Sequence, residues 1–167
     1  DDAVTVRTAL PVVVVRAGKA TVDGVLKPGA KITVTLKTAG GTLRGRATAT
    51  GALDRGDPLY TGSFKSSGTA VKAAVGNKVT SSRLSGSWTV RGNTLAVTPG
   101  DGDGSISATC PADVTGAIWV DGFNLGNVSF PTGAVLFENL SFASGAKVEL
   151  VCQGANGFAQ WFTRVAP

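Results

Sequence analysis

The stretch ATVDGVLKPGAKITVTL, Ala20 to Leu36, decides how the rest of the chain is read. Two runs rich in β-branched residues, Ala20 to Val25 and Lys31 to Leu36, flank the segment Leu26-Lys27-Pro28-Gly29-Ala30. Pro28 pre-sets φ and Gly29 tolerates φ > 0, the chemistry of a type II turn. In the second run Ile32, Val34 and Leu36 share one face while Lys31, Thr33, Thr35 and Lys37 share the other. A period of two with one wet face predicts a half-buried strand, and the two runs together predict a hairpin.

Composition extends that reading outward. The 167 residues are 43% apolar and 16% charged, too apolar for a disordered chain. The longest apolar block, Leu10 to Val15, is six residues and contains Pro11. A membrane-spanning helix needs roughly 20, so no membrane span is expected. Twenty-three glycines with abundant Val, Thr and Ala favour strands joined by tight turns, and no long amphipathic helix is legible. The expected fold class is all-β.

Charge is unevenly distributed. Asp1 to Thr98 holds 14 Lys and Arg against 5 Asp, a net +9; Pro99 to Pro167 holds 2 against 6 carboxylates, a net −4. The basic residues stand singly, without interleaved aromatics, so nucleic acid is not an expected partner. Opposite-signed ends instead favour head-to-tail contact between copies. A chain without Met that opens Asp1-Asp2 fits a removed leader or an excised piece. Cys110 and Cys152 both lie in strand-like runs and are expected to form one disulfide, worth about 3–4 kcal/mol in the loop-entropy model. Together these favour an oxidising, secreted or cell-surface setting.

Taken in order, the chain opens with an alternating run, AVTVRTAL, then Pro11, then Val12, Val13, Val14 and Val15, apolar on both faces. Because Pro11 cannot donate to a ladder, the four valines are expected at an edge or kink, or as an assembly strand donated to a neighbouring copy. Further strands are expected over 43–50, 59–64, 69–75, 78–80, 85–90 and 95–98, with Gly92-Asn93 as a hairpin turn.

VDGVLKPGAKITVTL, the strand at Tyr60 to Phe64 and VGNKV at Val75 to Val79 resemble bacterial extracellular immunoglobulin-like modules. Those modules open on V-x-G-x-x-x-P-G-A-x-V-x-V and carry a late G-D/N-x-V turn. The resemblance covers about residues 21–79 and implies an antiparallel β-sandwich serving as a spacer or binding unit of a surface protein. The remainder does not continue as a second such module.

Pro99-Gly100-Asp101-Gly102-Asp103-Gly104-Ser105 is the sharpest composition break and is read as a linker. It divides an immunoglobulin-like sandwich, 1–98, from a smaller disulfide-stapled β-domain, 99–167, unless both share one extended sandwich. Eight of the eleven aromatics lie beyond it. Core packing is the default for these aromatics, but Trp119, Phe123, Trp161 and Phe162 could stack on sugar rings if they lined one sandwich face. Phe123 and Phe158, flanked by Gly and Asn, are the candidates for exposed loops, and with Trp161 they are the candidate ligand-stacking residues. Asp101, Asp103 and Ser105 offer oxygens at alternate positions, a weak Ca²⁺ candidate without the rest of a calcium loop. Asn127-Val128-Ser129 and Asn139-Leu140-Ser141 are glycosylation sequons.

With no His and two cysteines, a His-based triad, a His-ligated metal and a four-thiolate site are excluded. No phosphate-binding glycine motif occurs. Asp113, Asp121, Glu138 and Glu149 are the acids available to a carboxylate mechanism, but any all-β chain holds such a set. The expectation is a non-enzymatic extracellular structural protein: a self-assembling subunit of an appendage, filament or surface layer, with no cofactor beyond the candidate Ca²⁺. Its partners would be further copies or other surface proteins. The alternative is a carbohydrate-binding or adhesin module with a polysaccharide partner.

Overall fold

The computed structural model describes residues 11–54 and 57–167. The alternating run 3–10 and residues 55–56 lie outside them. Seventeen strands and no helix are found among the described residues, so none is long and apolar enough to cross a membrane. In chain order they are β1 (Val12–Val15), β2 (Thr21–Val25), β3 (Lys31–Lys37), β4 (Leu43–Thr50), β5 (Ala52–Asp54), β6 (Asp57–Ser63), β7 (Lys65–Ser66), β8 (Thr69–Ala70) and β9 (Lys78–Ser81). There follow β10 (Trp88–Thr89), β11 (Ala96–Thr98), β12 (Gly100–Thr109), β13 (Val114–Val120), β14 (Phe123–Phe130), β15 (Ala134–Phe142), β16 (Lys147–Gln153) and β17 (Phe158–Val165). An eight-stranded sheet, β14-β13-β16-β17-β1-β2-β6-β5, lies against a six-stranded sheet, β10-β9-β3-β4-β7-β8, and a three-stranded one, β11-β12-β15. The fold is an all-β layered sandwich with one continuous apolar core.

The opening stretch makes its turn but not its hairpin. Gly29 has φ 74° and Ala30 N–H donates to Lys27 C=O at 3.0 Å. Yet β2 pairs with β1 and β6, whereas β3 pairs with β4 and β9, so Leu26–Ala30 carries the chain from one sheet to the other. Leu26 turns into the core, 2% exposed, and Gly51 packs against the Lys27 carbonyl. Ile32, Val34 and Leu36 are buried on one face, as the alternation requires.

Val12–Val15, expected at an edge or donated, is an internal strand. It runs parallel to β17, with Val13 opposite Phe158, and antiparallel to β2, with Val15 opposite Val22. Both edges are therefore occupied within the chain, and the two-sided apolar character is that of a central strand. Pro11 precedes the strand, where a missing N–H costs no ladder bond. The Tyr60 hydroxyl donates to Val12 C=O at 3.0 Å over Gly24; a Cβ on Gly24 would meet that carbonyl at 1.9 Å.

Beyond residue 90 two further expectations change. Gly92-Asn93 closes no hairpin: residues 91–95 pass from the six-stranded to the three-stranded sheet, with Asn93 Oδ1 accepting from Leu95 N–H and Asn93 Nδ2 donating to Thr163 C=O. Gly100–Thr109 is a strand rather than a linker. It pairs with β11 and β15 and absorbs its glycines at two register shifts, around Gly104. Pro99 thus sits inside the β11–β12 pair. The disulfide joins Cys110, just after β12, to Cys152 on β16, with Cα atoms 5.8 Å apart, and ties the three-stranded sheet to the eight-stranded one.

Candidate functional site

Alternation along the eight-stranded sheet sends Ile118, Leu150, Phe158, Gln160 and Phe162 inward, leaving Ala117, Trp119, Glu149, Val151 and Trp161 on the outer face. There Trp119 of β13 and Trp161 of β17 meet above β16, centroids 5.5 Å apart and planes 8° from parallel. The parallel β1–β17 register sets Arg16 beside Trp161, its guanidinium 5.2 Å from the ring centroid. Asp23 on β2 pairs with Arg16. The result is a ladder across the sheet: carboxylate, guanidinium, indole, indole. Beside it a groove of about 350 Å³ is lined by Thr115, Ala117, Trp119, Asn127, Val151 and Gln153.

Sequence reasoning picked out Trp119 and Trp161 as candidates for one sandwich face but missed Arg16 beside them. The available signal was the outward phase shared by Trp119 and Trp161; the parallel neighbour β1 carries no local signature. Phe123 is 79% exposed, at the start of β14 directly after the Asp121-Gly122 turn. Phe158, expected on a loop, is fully buried in β17 and has no free face for a ligand. Trp161 is flanked by Trp119 and Arg16 from opposite sides of β17, and both indoles are half-buried.

Asp101 and Asp103 stand exposed, and Ser105 half-buried, where β12 shifts register. Among the described residues no three His, Cys, Asp or Glu come close enough to hold a metal. Asp121 accepts from Lys147 N–H at 2.7 Å, fixing the β13–β14 turn to the start of β16. Glu149 pairs with Lys147 at 2.7 Å, and Glu138 is exposed on β15. Asp113 borders an open cleft of about 470 Å³ between residues 87–91 and the loop 154–156, where Arg91 and Asn156 also lie. Burial, with the Asp23 charge nearby, raises the Tyr60 phenol well above its ordinary value of 10.0.

No protein-family model and no curated protein matches the chain. Among solved structures, the BSP domain of a biofilm associated protein is similar at 17% identity and a TM-score of 0.34, over 93% of this chain and 29% of that one. The CD2-binding domain of CD58 is similar at 7% identity and 0.33, over 92% and 96%. The central fibronectin-III array of RIM-binding protein is similar at 8% and 0.32, over 93% and 68%. The chain spans under a third of the first of these. They are distant likenesses of fold, at which neither activity nor partner transfers.

Proposed function

We propose that the chain is a non-enzymatic extracellular structural module that assembles with further copies into a surface layer, appendage or filament. The observation that carries this reading is how the polar and sulfur chemistry is used. Gln160, Tyr60, Asp121 and the Cys110–Cys152 bridge each hold one piece of sheet to another. The disulfide supports an oxidising compartment, and the opposite-signed halves support a head-to-tail contact that need not close. The test is sizing and negative-stain imaging of the untagged, oxidised chain over a range of concentration and salt. Assembly that weakens with salt is expected; a monomer at every concentration overturns the reading.

A second reading rests on the outer face. The groove beside Trp119, with Asn127 and Gln153 as hydrogen-bonding groups, suits a polysaccharide strand lying across the sheet. Retention on insoluble polysaccharide that is lost in Trp119→Ala, with the fold intact, would favour it. Equal elution of both proteins would remove it.

A further inference from the structure

Along the chain the cations of the first half stand singly, but strand pairing gathers them. In the six-stranded sheet, alternation buries Ile32, Val34 and Leu36 of β3, Gly45, Ala47 and Ala49 of β4, and Val79 of β9. The opposite phase sends Lys31, Lys37, Arg44, Arg46 and Lys78 to the outer face, where Lys65 of β7 joins them beside Arg46. All are exposed except the half-buried Lys37. The strands that build this face hold no carboxylate, because residues 24–53 and 58–100 contain neither Asp nor Glu.

Register makes the arrangement costly. Lys37 lies directly opposite Lys78, and Arg46 directly opposite Lys65. Like charges that face each other across a ladder repel and weaken the sheet. The eight-stranded sheet handles its charge differently: Arg16 pairs with Asp23 and Lys147 with Glu149, the two ion pairs found among the described residues. The cations of the six-stranded sheet belong to neither pair. Between them lie hydroxyls. Thr35 sits between Arg46 and Thr80 across the strands, and the Oγ1 atoms of Thr33 and Thr48 are 3.5 Å apart. The one aromatic residue of these six strands, Trp88, is buried.

We infer that this face binds an acidic polysaccharide, a polymer carrying carboxylate or sulfate groups along its chain. Charge complementarity calls for a polyanion that can answer six cations and relieve both repulsive rungs at once. A second copy of this chain fits less well. Its three-stranded sheet, which has no Lys or Arg, offers Asp101, Asp103 and Glu138, half as many charges as the face presents. Nucleic acid fits less well too: a single strand wants rings on which bases stack, and a duplex groove admits a helix or a two-stranded ribbon rather than a broad sheet. An acidic polysaccharide needs neither. Its charges meet lysine and arginine, its hydroxyls meet threonine, and it lies across strands whose backbones are ~4.8 Å apart. The site is separate from the groove beside Trp119, which opens on the outer face of the eight-stranded sheet. Nor does the inference rest on the self-assembly reading.

The test titrates the full, oxidised chain with polygalacturonate over a range of salt, with neutral dextran and duplex DNA as comparisons. Two variants each remove one rung: Lys37→Gln with Lys78→Gln, and Arg46→Gln with Lys65→Gln. A third, Lys19→Gln with Lys27→Gln, takes the same charge from exposed turns outside the sheet. A melting temperature no lower than that of wild type is expected of each rung variant, because a repulsion is gone, and certifies its fold. Wild type is expected to bind polygalacturonate, more weakly as salt rises, and to ignore dextran. Each rung variant is expected to bind about tenfold more weakly at low salt, and the control variant within about twofold of wild type. No binding by wild type, equal binding of dextran, or equal weakening in the control would overturn the inference. Duplex DNA bound as tightly as polygalacturonate would overturn the polysaccharide as occupant. Rung variants that lose self-association in sizing yet keep their affinity for polygalacturonate would give the face to a second copy instead.

Discussion

Gln160 Oε1 accepts a hydrogen bond from the indole Nε1 of Trp88 at 3.1 Å, and from Arg91 N–H at 2.9 Å, while Gln160 Nε2 donates to Arg91 C=O at 2.7 Å. A fully buried amide on the last strand thereby closes the backbone of a segment 69 to 72 residues earlier. Gln160→Ala would leave the Trp88 indole N–H and both Arg91 backbone groups without these partners. Partial relaxation should hold the cost to about 3 kcal/mol. Urea denaturation should report it as a lower midpoint at unchanged slope. Gln160→Leu, similar in bulk, should lose nearly as much, which separates the hydrogen bonds from the packing.

The disulfide encloses a sequence separation of 42. In the loop-entropy model that is worth about 4 kcal/mol, so the Cys110→Ala, Cys152→Ala protein should melt well below the oxidised wild type. A reductant should lower the melting temperature of wild type and leave that of the double variant where it is.

Tyr60 makes stability fall at high pH. Its folded phenol resists ionisation, so as pH rises past the ordinary value of 10.0 the unfolded chain releases a proton that the folded chain keeps. The contribution is whole below that value and is lost progressively above it. Tyr60→Phe should cost about 1 kcal/mol at neutral pH, from the bond to Val12, and should flatten the alkaline limb of the stability curve. Matched unfolding titrations of the two proteins across the alkaline range isolate this effect from lysine ionisation.

The indole pair has an optical signature. Rings 5.5 Å apart and nearly parallel should couple as excitons in the far-UV. Trp119→Phe or Trp161→Phe should abolish the couplet while costing about 1 kcal/mol. Arg16→Gln should keep the couplet and lose the cation contact and its pairing with Asp23.

How much of this was legible beforehand follows the range of the interactions. The phase of Ile32, Val34 and Leu36, the turn at Pro28-Gly29 and the Cys110–Cys152 pairing are local or chemically unique, and all are present. The partners of β2 and β3 were not legible, because a five-residue turn serves a hairpin or an arch between sheets and only the core decides. The parallel pairing of β1 with β17 joins residues some 145 positions apart with no motif on either. Phe158 was misplaced because flanking Gly and Asn read as a loop; Gly157 is the turn and Phe158 the first residue inside. Asp121-Gly122 was the opposite case, a strong two-residue turn signal at φ 48° and 80° that places Phe123 in a strand.

The side-by-side course of β1 and β17 also sets how the molecule bears load. Tension entering ahead of Val12 and leaving past Val165 drags two parallel neighbours in opposite directions, so the bonds joining them are sheared all at once instead of unzipped in turn. The Cys110–Cys152 bridge lies outside that junction and does not relieve it. Stretched end to end with a force probe, the chain should resist as a single clamp and then give way in one step, and Val13→Pro should weaken the clamp.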